Sequence, residues 1–524
     1  MLLELRRIQA EAGIPPPAKQ AALHTLIEDN VMVNIFNTTF EIEESGVTTA
    51  VLPMGSVEPK GPHLPVGLDI ILANKFGHDF CTGKALYLMP VFPFSTAVEA
   101  LGFPGIVALK QQTLWDVLFD IASVLKRHYF KNLIILDFSN HNWILKQCVR
   151  EINLNRGGIN TIWVNPKEFA REVAGEKLLP DYGGGAVETS LALAVDENSV
   201  SSLPEDFIPT APREYMDYRG FKRISPEGYW GKPQKASIKF GKELYKLMLA
   251  RTEEYIEYAL ALFPDAELPS ESKAEELWWP SGKIPGSGYI DWHSSLPQIQ
   301  KITERVAVIP TSSTEQHSTS QPVSTDYLQV IELSARAAEE LSAYLLPALP
   351  VCTSWSHIHF KGTVTVSAMT ARRIIEDIVF SLRAGGFKRG VIVNVHGGNW
   401  VLKPTLIELN ALYRDFKLIS TEDILSYRGQ APMEEIHACG QEASFIKAFY
   451  PACFKEDRVV DFSPKCTTSA LDLVGMKGVS PEGVWGYPSS ATAEKGKADL
   501  KQRVSQAVSY IRDYFDWEKS RNED

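Results

Sequence analysis

The sequence is poor in cysteine and in long apolar runs. It has six cysteines in 524 residues, and no two of them form a C-x-x-C pair. Isolated cysteines in a long chain are typical of reduced thiols in a reducing compartment. No stretch approaches the ~20 apolar residues that a membrane helix needs, and residues 1–20 lack the apolar core of a secretory signal. We therefore expect a cytoplasmic protein without a membrane partner.

An excess of positive charge is also absent. Lys and Arg number 53 against 64 Asp and Glu, which gives a formal net charge of −11. Because nucleic acids are bound by basic surfaces, this balance argues against nucleic acid as the main partner. Hydrophobic residues make up 44% and charged residues 22%, as in ordinary globular proteins. A chain of this length exceeds a single core, so we expect two or more domains.

The chain repeats itself. VLPMGSVEPKGPHLPVGLD at residues 51–69 matches VIPTSSTEQHSTSQPVSTD at residues 308–326, an offset of 257. VETS at 187–190 matches QEAS at 441–444, and SPEGYWG at 225–231 matches SPEGVWG at 480–486, at almost the same offset. Such a constant offset indicates a tandem duplication. We predict one domain over residues 22–263, a linker rich in Pro, Ser, Gly and acidic residues over 264–288, and a second domain over 289–520.

Strand and helix patterns alternate within each copy. In the second copy, Val306–Pro310 and residues 390–394 are short apolar strands, and residues 370–384 have helical periodicity with Thr370 as a candidate N-cap. Another helix is predicted from about Pro404. This alternation predicts an α/β fold, with a mostly parallel sheet flanked by helices in each domain. In such sheets, ligands bind beyond the carboxyl ends of the strands.

Imidazole and carboxylate side chains follow these predicted strands. Glu315, His317 and Asp326 follow the first, and His396 lies in NVHGGN after the second. Such mixed ligands suit Zn, Mn or Fe ions, and a bridging carboxylate can hold two ions about 3.5–4 Å apart. The sequence therefore predicts a catalytic site for divalent metal, with two ions.

Other residues are candidates for the pocket around this site. Trp355 and Trp400 would offer flat walls to a small ring or would be ordinary packing residues. His357 and His359 would line the pocket or be polar loop residues. The two glycines would let the backbone approach a ligand closely. The candidate substrate-binding residues are Trp355, His357, Gly397, Gly398 and Trp400.

Both halves resemble the creatininase family. Its members carry S-T-E-Q-H-G-P-H-L-P-x-G-x-D, F-P-G-T, N-G-H-G-G-N and H-A-G-E-x-E-T-S segments. The second half has STEQHSTSQPVSTD, FKGT, NVHGGN and HACGQEAS, and the first half has SVEPKGPHLPVGLD, FPGI, DFSNHN and GGGAVETS. The resemblance covers one complete unit per half. It implies metal-dependent hydrolysis of cyclic amides, formamides or related compounds by an α/β/α domain that tends to form hexamers.

The resemblance implies a complete site in the second half. Asp326 would be the bridging carboxylate, Glu442 would complete the site, and His437 would be the catalytic acid or base. The implied metal ligands are Glu315, His317, Asp326, His396 and Glu442. In that half, residues 318–321 read STSQ in place of G-P-H-L, and Lys361 replaces the proline of F-P-G-T. These changes concern the pocket mouth and leave the substrate open.

The first half is degenerate by the same comparison. It keeps three carboxylates, Glu58, Asp69 and Glu188, and it has lost the three imidazoles. Lys60 replaces His317, Ser139 replaces His396, and Gly183 replaces His437. An ammonium at Lys60 would take the place of the metal's charge, so we expect a metal-free, non-catalytic domain. Alternatively, His63 or His141 would supply a substitute ligand.

Three functions remain open from the sequence. The first is a metal-dependent hydrolase that acts on a C–N bond of a small molecule, such as an amide, cyclic amide or formamide. The second uses the same metal site on a different bond, in ring-ketone opening, peptide trimming or a biosynthetic step. The third is a non-enzymic structural protein. In each case the duplication suggests a pseudo-dimer within one chain and a homo-oligomer of three such chains.

Overall fold

The computed structural model describes residues 32–263, 290–421 and 435–522, apart from residues 143, 155–157, 176–179, 212, 214, 304–305 and 467. The predicted linker, residues 264–288, lies outside the described residues. Among the helices that are described, none is both long and apolar enough to cross a membrane.

The chain divides into two compact units that follow the two repeats except at two short segments. Unit 1 takes the described residues within Met1–Asn34, Ser45–Leu277 and His293–Pro297, and unit 2 takes those within Ile35–Glu44, Trp278–Trp292 and Gln298–Asp524. Each unit therefore contains a short segment of the other repeat. The sequence did not predict this exchange, because a repeat alignment identifies equivalent residues without saying which copy they pack in.

Each unit contains one five-stranded sheet in the described residues. The strands are β1 (Val33–Asn34), β2 (Thr49–Met54), β3 (Tyr87–Leu88), β4 (Asn132–Asp137), β5 (Asn160–Val164), β6 (Ile290–Asp291), β7 (Val306–Thr311), β8 (Tyr344–Leu345), β9 (Arg389–Asn394) and β10 (Lys417–Ser420). The orders are β1-β3-β2-β4-β5 and β6-β8-β7-β9-β10, with every pairing parallel. The two sheets have the same topology, which confirms the duplication and the parallel α/β prediction.

Helices flank both sheets. They are α1 (Thr39–Glu44), α2 (Leu68–Cys81), α3 (Gln111–Arg127), α4 (Leu145–Leu154), α5 (Pro166–Ala174), α6 (Ala186–Val195), α7 (Tyr215–Arg219), α8 (Phe221–Ile224), α9 (Ile238–Leu260), α10 (Leu296–Gln300), α11 (Thr325–Leu341), α12 (Ala368–Ala384), α13 (Leu402–Leu412), α14 (Gly440–Phe449), α15 (Ser469–Val479) and α16 (Ala493–Asn522). Short 3-10 turns include Trp355–His357, Pro451–Cys453 and Glu456–Arg458.

The central strands of unit 2 place the candidate site. β7 and β9 are buried from their second residue onward, as their uninterrupted apolar runs predict for strands covered on both faces. Their register pairs Val306 with Arg389 and Thr311 with Asn394, so both strands end at the same edge. The segments that carry the candidate ligands leave the sheet at that edge.

The start of α12 differs from the prediction. The helix begins at Ala368, and its N-cap is Ser367, whose hydroxyl accepts a hydrogen bond from the Thr370 backbone N–H at 3.1 Å. Thr370 lies in the first turn, with its own hydroxyl 2.8 Å from that of Ser367. Either residue type can cap a helix, and only the backbone conformation distinguishes them. α13 also starts earlier than predicted, at Leu402 instead of Pro404.

Candidate metal centre

Two candidate ligands lie beyond the ends of neighbouring strands. Glu315 follows β7, and His396 follows β9. The His396 turn is held by amides: Asn394 Nδ2 donates to the His396 carbonyl at 2.9 Å, and Asn399 Nδ2 donates to Asn394 Oδ1 at 3.0 Å. Asn399 Oδ1 also accepts from the Thr353 backbone N–H at 3.0 Å. The NVHGGN motif is therefore a hydrogen-bonded turn that presents one imidazole.

Two further carboxylates lie in first turns of helices. Asp326 is in the first turn of α11 and Glu442 in the first turn of α14, where the helix dipole favours negative charge. Asp326 Oδ2 accepts from the Ser313 hydroxyl at 2.7 Å. Glu442 Oε2 accepts from the Cys439 backbone N–H at 3.2 Å. The other oxygen of Glu442, Oε1, faces an imidazole, and both oxygens of Asp326 do so.

The structure brings all five predicted ligands together. Asp326 Oδ2 is 3.0 Å from His396 Nδ1, and Asp326 Oδ1 is 3.5 Å from His317 Nε2. Glu315 Oε2 is 3.3 Å from His396 Nε2, and Glu442 Oε1 is 3.7 Å from His317 Nε2. The five side chains belong to residues that are at most 5% exposed. Asp326 lies between two pairs, Glu315 with His396 and His317 with Glu442.

The hydrogen bonds of three imidazoles assign which nitrogen faces the carboxylates. His317 Nδ1 donates to the Glu315 carbonyl at 3.1 Å, and His396 Nε2 donates to the Thr353 carbonyl at 2.9 Å. His437 Nε2 lies 2.8 Å from the Gln316 carbonyl and donates to it. In each ring the other nitrogen faces the carboxylates, and this is the nitrogen that would bind a metal. A metal-binding histidine is usually held in this way, with its N–H on a backbone carbonyl.

His357 differs from these three rings because its N–H faces the carboxylates, as a result of a glutamine that the sequence analysis missed. Gln316 Oε1 accepts from the Ser318 backbone N–H at 2.8 Å, so its amide nitrogen faces His357 Nδ1 at 2.9 Å. The same nitrogen is 2.9 Å from His437 Nε2, whose hydrogen is on the Gln316 carbonyl. A Cβ at Gly483 would overlap this amide. His357 therefore presents an N–H, at Nε2, 3.6 Å from Glu315 Oε1.

The cluster shifts the pKa of each member. Burial raises the pKa of Glu315 to about 7 although His396 opposes it, and Asp326 raises it further. Burial would lower the pKa of His396, but Glu315 and Asp326 outweigh burial and raise it to about 9. Burial likewise opposes the shift of His317, whose pKa Asp326 raises well above its usual value. Without a metal, protons on these rings supply the charge that the carboxylates need.

The two remaining imidazoles are neutral. Burial, with the nearby His317, lowers the pKa of His437 to about 4. Burial, with His437 and His396, holds the pKa of His357 well below its usual value. The rings of His317 and His437 have centroids 4.4 Å apart, and those of His357 and His437 are 4.3 Å apart. Such crowding makes a second positive charge costly.

The residues present fit a divalent metal. Both carboxylate oxygens of Glu315 and Nε2 of His317 are buried and have no hydrogen-bond partner among the described residues. Leaving such polar atoms unpaired is unfavourable unless a cation binds them. Ligand atoms lie within 4.8 Å of one another in three groups: Glu315, His317 and Asp326; His317, His437 and Glu442; Glu315, His357 and His437. His396 adds a nitrogen beside Asp326.

The other predicted pocket residues have mixed placements. A Cβ at Gly398 would overlap His396 Nε2 and come within 2.8 Å of the Thr353 carbonyl, so this glycine makes room for the protein's own histidine. Gly397 faces open space. Trp355 and Trp400 are 48% and 59% exposed, two residues before His357 and four after His396 respectively. His359 is exposed and lies outside the buried cluster.

Unit 1 carries an ammonium where unit 2 has an imidazole. Lys60 Nζ is 2.9 Å from Asp69 Oδ2, 3.1 Å from Glu188 Oε1 and 3.5 Å from Glu58 Oε2. Lys60 is fully buried, and burial would lower its pKa, but Asp69, Glu188 and Glu58 together raise it. The lysine is charged and pairs with all three carboxylates that the first repeat retains.

A second buried ammonium, from Lys167, was not predicted. Lys167 Nζ is 2.6 Å from Asp69 Oδ1 and 2.8 Å from Glu188 Oε1. It lies in the first turn of α5, after Asn165, whose side chain caps that helix. The repeat alignment gave no signal for it, because the ligand motifs do not extend to this position. Each oxygen of Asp69 thus holds one ammonium, as each oxygen of Asp326 faces one pair of candidate ligands.

The two histidines of unit 1 that were alternatives as ligands have other partners. His141 Nε2 is 3.4 Å from Glu58 Oε2, and its Nδ1 bonds Glu99. Burial opposes but does not prevent the rise of the His141 pKa, which Glu58 and Glu99 cause. His63 Nε2 lies 3.0 Å from the Thr189 hydroxyl, and burial lowers its pKa to about 4. His141 is an ion-pair partner, and His63 is a neutral hydrogen-bonding residue.

The fold and the buried cluster define an α/β protein of two homologous units with a candidate metal centre in one of them. Both repeats match the model of the creatininase family (creatinine amidohydrolase), over residues 37–256 and 292–511. The chain therefore belongs to the creatininase family, whose members are hydrolases. This finding confirms the resemblance of both halves and the tandem duplication.

Similar proteins each match about one repeat. Creatinine amidohydrolase of Pseudomonas putida is 26% identical over 238 residues, 40% of this chain and 90% of its own. 3-dehydro-scyllo-inosose hydrolase of Thermotoga maritima is 23% identical (43% and 84%), and mycofactocin precursor peptide peptidase of Mycobacterium ulcerans is 28% identical (39% and 83%). A solved structure described as creatininase with Mn is 23% identical, with a TM-score of 0.36 over 43% of this chain and 99% of that one.

Proposed function

We propose that unit 2 is a metal-dependent hydrolase that cleaves a C–N bond of a small molecule: an amide, cyclic amide or formamide. The observation that carries this proposal is the arrangement of three buried imidazoles. His317, His396 and His437 each give one N–H to a backbone carbonyl and turn the other nitrogen toward buried carboxylates. Among these carboxylates, Glu315 has two oxygens with no hydrogen-bond partner in the part of the chain that the structure describes.

The geometry around Asp326 favours two ions. Its Oδ1 faces His317, which is beside Glu442, and its Oδ2 faces His396, which is beside Glu315. Asp326 would bridge, and each pair would hold one ion of Zn, Mn or Fe. When bound, such metals lower the pKa of water and polarise a substrate carbonyl.

Two imidazoles are available for substrate and proton. His437 Nδ1 lies 3.7 Å from Glu315 Oε1, and it would accept a proton from the attacking water and pass it to the leaving nitrogen. The lowered pKa of this ring, about 4, favours the release of that proton. His357 Nε2 carries an N–H, because Gln316 donates to its Nδ1. His357 would donate a hydrogen bond to a substrate oxygen. The exposed indoles of Trp355 and Trp400 would contact the rest of the substrate.

Unit 1 is, in this proposal, a metal-free partner. Its carboxylates have the same arrangement around Asp69, but Lys60 and Lys167 neutralise them with covalently attached charges. A buried carboxylate cluster that has no catalytic use is balanced there by ammonium groups. Among the described residues of unit 2, the ion-pair partners of Glu315, Asp326 and Glu442 are histidines and not lysines. The contrast speaks against a purely structural role for the cluster in unit 2.

The metal ligands do not select the bond that is cleaved. The relatives named above include an amidohydrolase, an inosose hydrolase and a peptide peptidase. A second candidate function is therefore the same metal centre acting on a ring ketone or a short peptide. Residues 318–321 and Lys361, which depart from the family pattern, favour a substrate other than creatinine.

The test of the metal centre is the metal content of the full-length protein, measured by elemental analysis. We expect about two Zn, Mn or Fe ions per chain. His396→Ala should lose most of this metal, because the variant removes the nitrogen beside Asp326. The matched control is Ser139→Ala, the equivalent position in unit 1, which should keep the wild-type content.

Two results would contradict the assignment. Wild-type protein that takes up none of the three metals, even on incubation with them, would show that unit 2 is not a metal-dependent hydrolase. Metal that persists in His396→Ala and disappears in Ser139→Ala would place the centre in unit 1. With metal content established, hydrolysis of cyclic amides and formamides, measured beside ring ketones and short peptides, separates the two candidate functions.

A further inference from the structure

Residues 35–44 of the first repeat belong to unit 2, and we call them the arm. Residues 293–297, which belong to unit 1, are equivalent to residues 36–40 of the arm at the repeat offset of 257. The exchange is reciprocal. In unit 2 the Val323 backbone N–H donates to the Asn37 carbonyl at 2.9 Å, and in unit 1 Val66 donates to Ser294 at 3.1 Å. Both donors lie three residues before the carboxylates Asp326 and Asp69.

The arm is bonded to residues 315–326, which include three of the candidate metal ligands: Glu315, His317 and Asp326. Beside the bond from Val323, the Ser324 backbone N–H donates to the Ile35 carbonyl at 3.0 Å. Val323 also closes the loop on its other side, because its carbonyl accepts from the Glu315 backbone N–H at 2.9 Å. Glu315 and Asp326 are thus positioned by one backbone segment whose outer hydrogen bonds go to the arm.

The helix of the arm, α1, also packs on the loop that follows His357. Ile42 is fully buried, and a Cβ at Gly362 would overlap its side chain. The Thr39 hydroxyl donates to the Lys361 carbonyl. The rings of Phe40 and Phe360 meet edge to face, with centroids 6.5 Å apart.

Ion pairs tie the outer face of α1 to the same region. Glu41 pairs with Lys455 at 3.0 Å, and the Lys455 backbone N–H donates to the Ser320 carbonyl at 2.9 Å. Glu44 pairs with Arg458 at 3.1 Å, and the Arg458 carbonyl accepts from the Thr319 hydroxyl. The arm therefore contacts residues 319–324 both directly and through residues 455–458.

We propose that the arm is a positioning element for the metal centre of unit 2, so that the inactive repeat is required for metal binding. The proposal rests on the proposed metal centre. The contacts of the arm described above are with residues other than the metal ligands. It holds the backbone between His317 and Asp326, and it holds the loop after His357. Residues that orient ligands in this way typically change metal affinity ten- to a hundredfold when altered.

The experiment compares full-length Ile42→Ala with wild type, with Zn²⁺ alone as the titrant. We expect Zn²⁺ affinity to fall about tenfold. The visible spectrum of the Co²⁺-loaded protein should change, and the amides of residues 318–326 should exchange faster with solvent. Ile42→Val should restore the Zn²⁺ affinity, the Co²⁺ spectrum and the slow exchange of these amides. The matched control is Leu296→Ala, which loosens the equivalent segment where it packs on Gly228 in unit 1 and should leave Zn²⁺ affinity unchanged.

The outcomes distinguish a failure of the positioning role from a failure of the proposed metal centre. Unchanged Zn²⁺ affinity and Co²⁺ spectrum in Ile42→Ala, despite faster exchange at 318–326, would overturn the positioning role. If Ile42→Ala does not fold, Thr39→Val removes only the hydrogen bond to Lys361 and is judged by the same criteria. Wild type that binds no Zn²⁺ would refute the proposed function, whereas the exchange of residues 318–326 would still report whether the arm holds this loop.

Discussion

Lys60 and Lys167 show how two side chains supply the positive charge that a buried carboxylate cluster needs. The two ammonium groups occupy the two oxygens of Asp69, and both also reach Glu188. In unit 2, the equivalent Asp326 meets imidazole nitrogens instead. Because the carboxylates are buried in both units, each arrangement requires positive charge. In unit 1 this charge is covalently attached, and under the proposed function unit 2 takes it from solution.

Replacing Lys167 with methionine tests this interpretation. Lys167→Met keeps the length of the side chain and leaves Asp69 and Glu188 with one cation fewer. Removing one partner of a buried ion pair costs about 3–5 kcal/mol, so we expect a loss of this size in the free energy of unfolding of unit 1. Scanning calorimetry, with amide exchange of residues 58–69, measures it. The control is Lys146→Met, an exposed lysine of the same unit, and an equal loss there would contradict the interpretation.

The sequence predicted the members of the cluster better than its hydrogen bonds. All five candidate ligands and His437 carry motif signals, and the structure brings them together. Gln316 lies in the same motif, but its role depends on an amide orientation that Ser318 sets. Lys167 lies in no motif, and its ion pairs span 98 residues to Asp69 and 21 to Glu188. Ion pairs between residues so far apart in sequence can be identified only once the fold is known.

At the scale of single elements, α12 offers a direct comparison of two caps. Ser367→Ala removes the hydroxyl that accepts from Thr370 and should cost about 1 kcal/mol of unit 2 stability. Thr370→Val, at the position that the sequence favoured, removes a hydroxyl that does not cap the helix. Urea unfolding of both variants measures the difference. A larger loss in Thr370→Val than in Ser367→Ala would show that the cap has been assigned wrongly.

The secondary structure was predictable where packing and pattern agree. β7 and β9 are buried apolar runs, and their observed ends lie within one residue of the predicted ones. α1 was not predicted, nor was its place in unit 2. It is six residues long, and its position depends on Gly362, Lys361 and Val323, which are far along the chain. Local sequence contains little information about such contacts.

At the scale of the whole molecule, the two units should respond differently to metal removal. A ligand that binds only the folded state stabilises it by about 4 kcal/mol at a thousandfold excess over its Kd. We expect a chelator to lower the melting temperature of unit 2 and to leave that of unit 1 unchanged, since its cations are lysines. Calorimetry of the full chain with and without EDTA checks this. A uniform shift of both transitions would mean that metal does not bind in unit 2 alone.

The assembly of three chains stays a prediction. It was implied by the resemblance to a family that tends to form hexamers, with each chain supplying two units. Native mass spectrometry of the full-length protein measures the number of chains directly. The exchanged segments described above concern one chain and do not depend on that number.

The exchange has a consequence for the order of events during synthesis. Unit 1 includes residues 293–297, and the Val66 backbone N–H donates to the Ser294 carbonyl. Domains usually fold one at a time as the chain leaves the ribosome. Here the amino-terminal unit cannot close its loop before Asp69 until the ribosome has passed the start of the second repeat. We therefore expect unit 1 to complete its folding only after residues 293–297 have been synthesised.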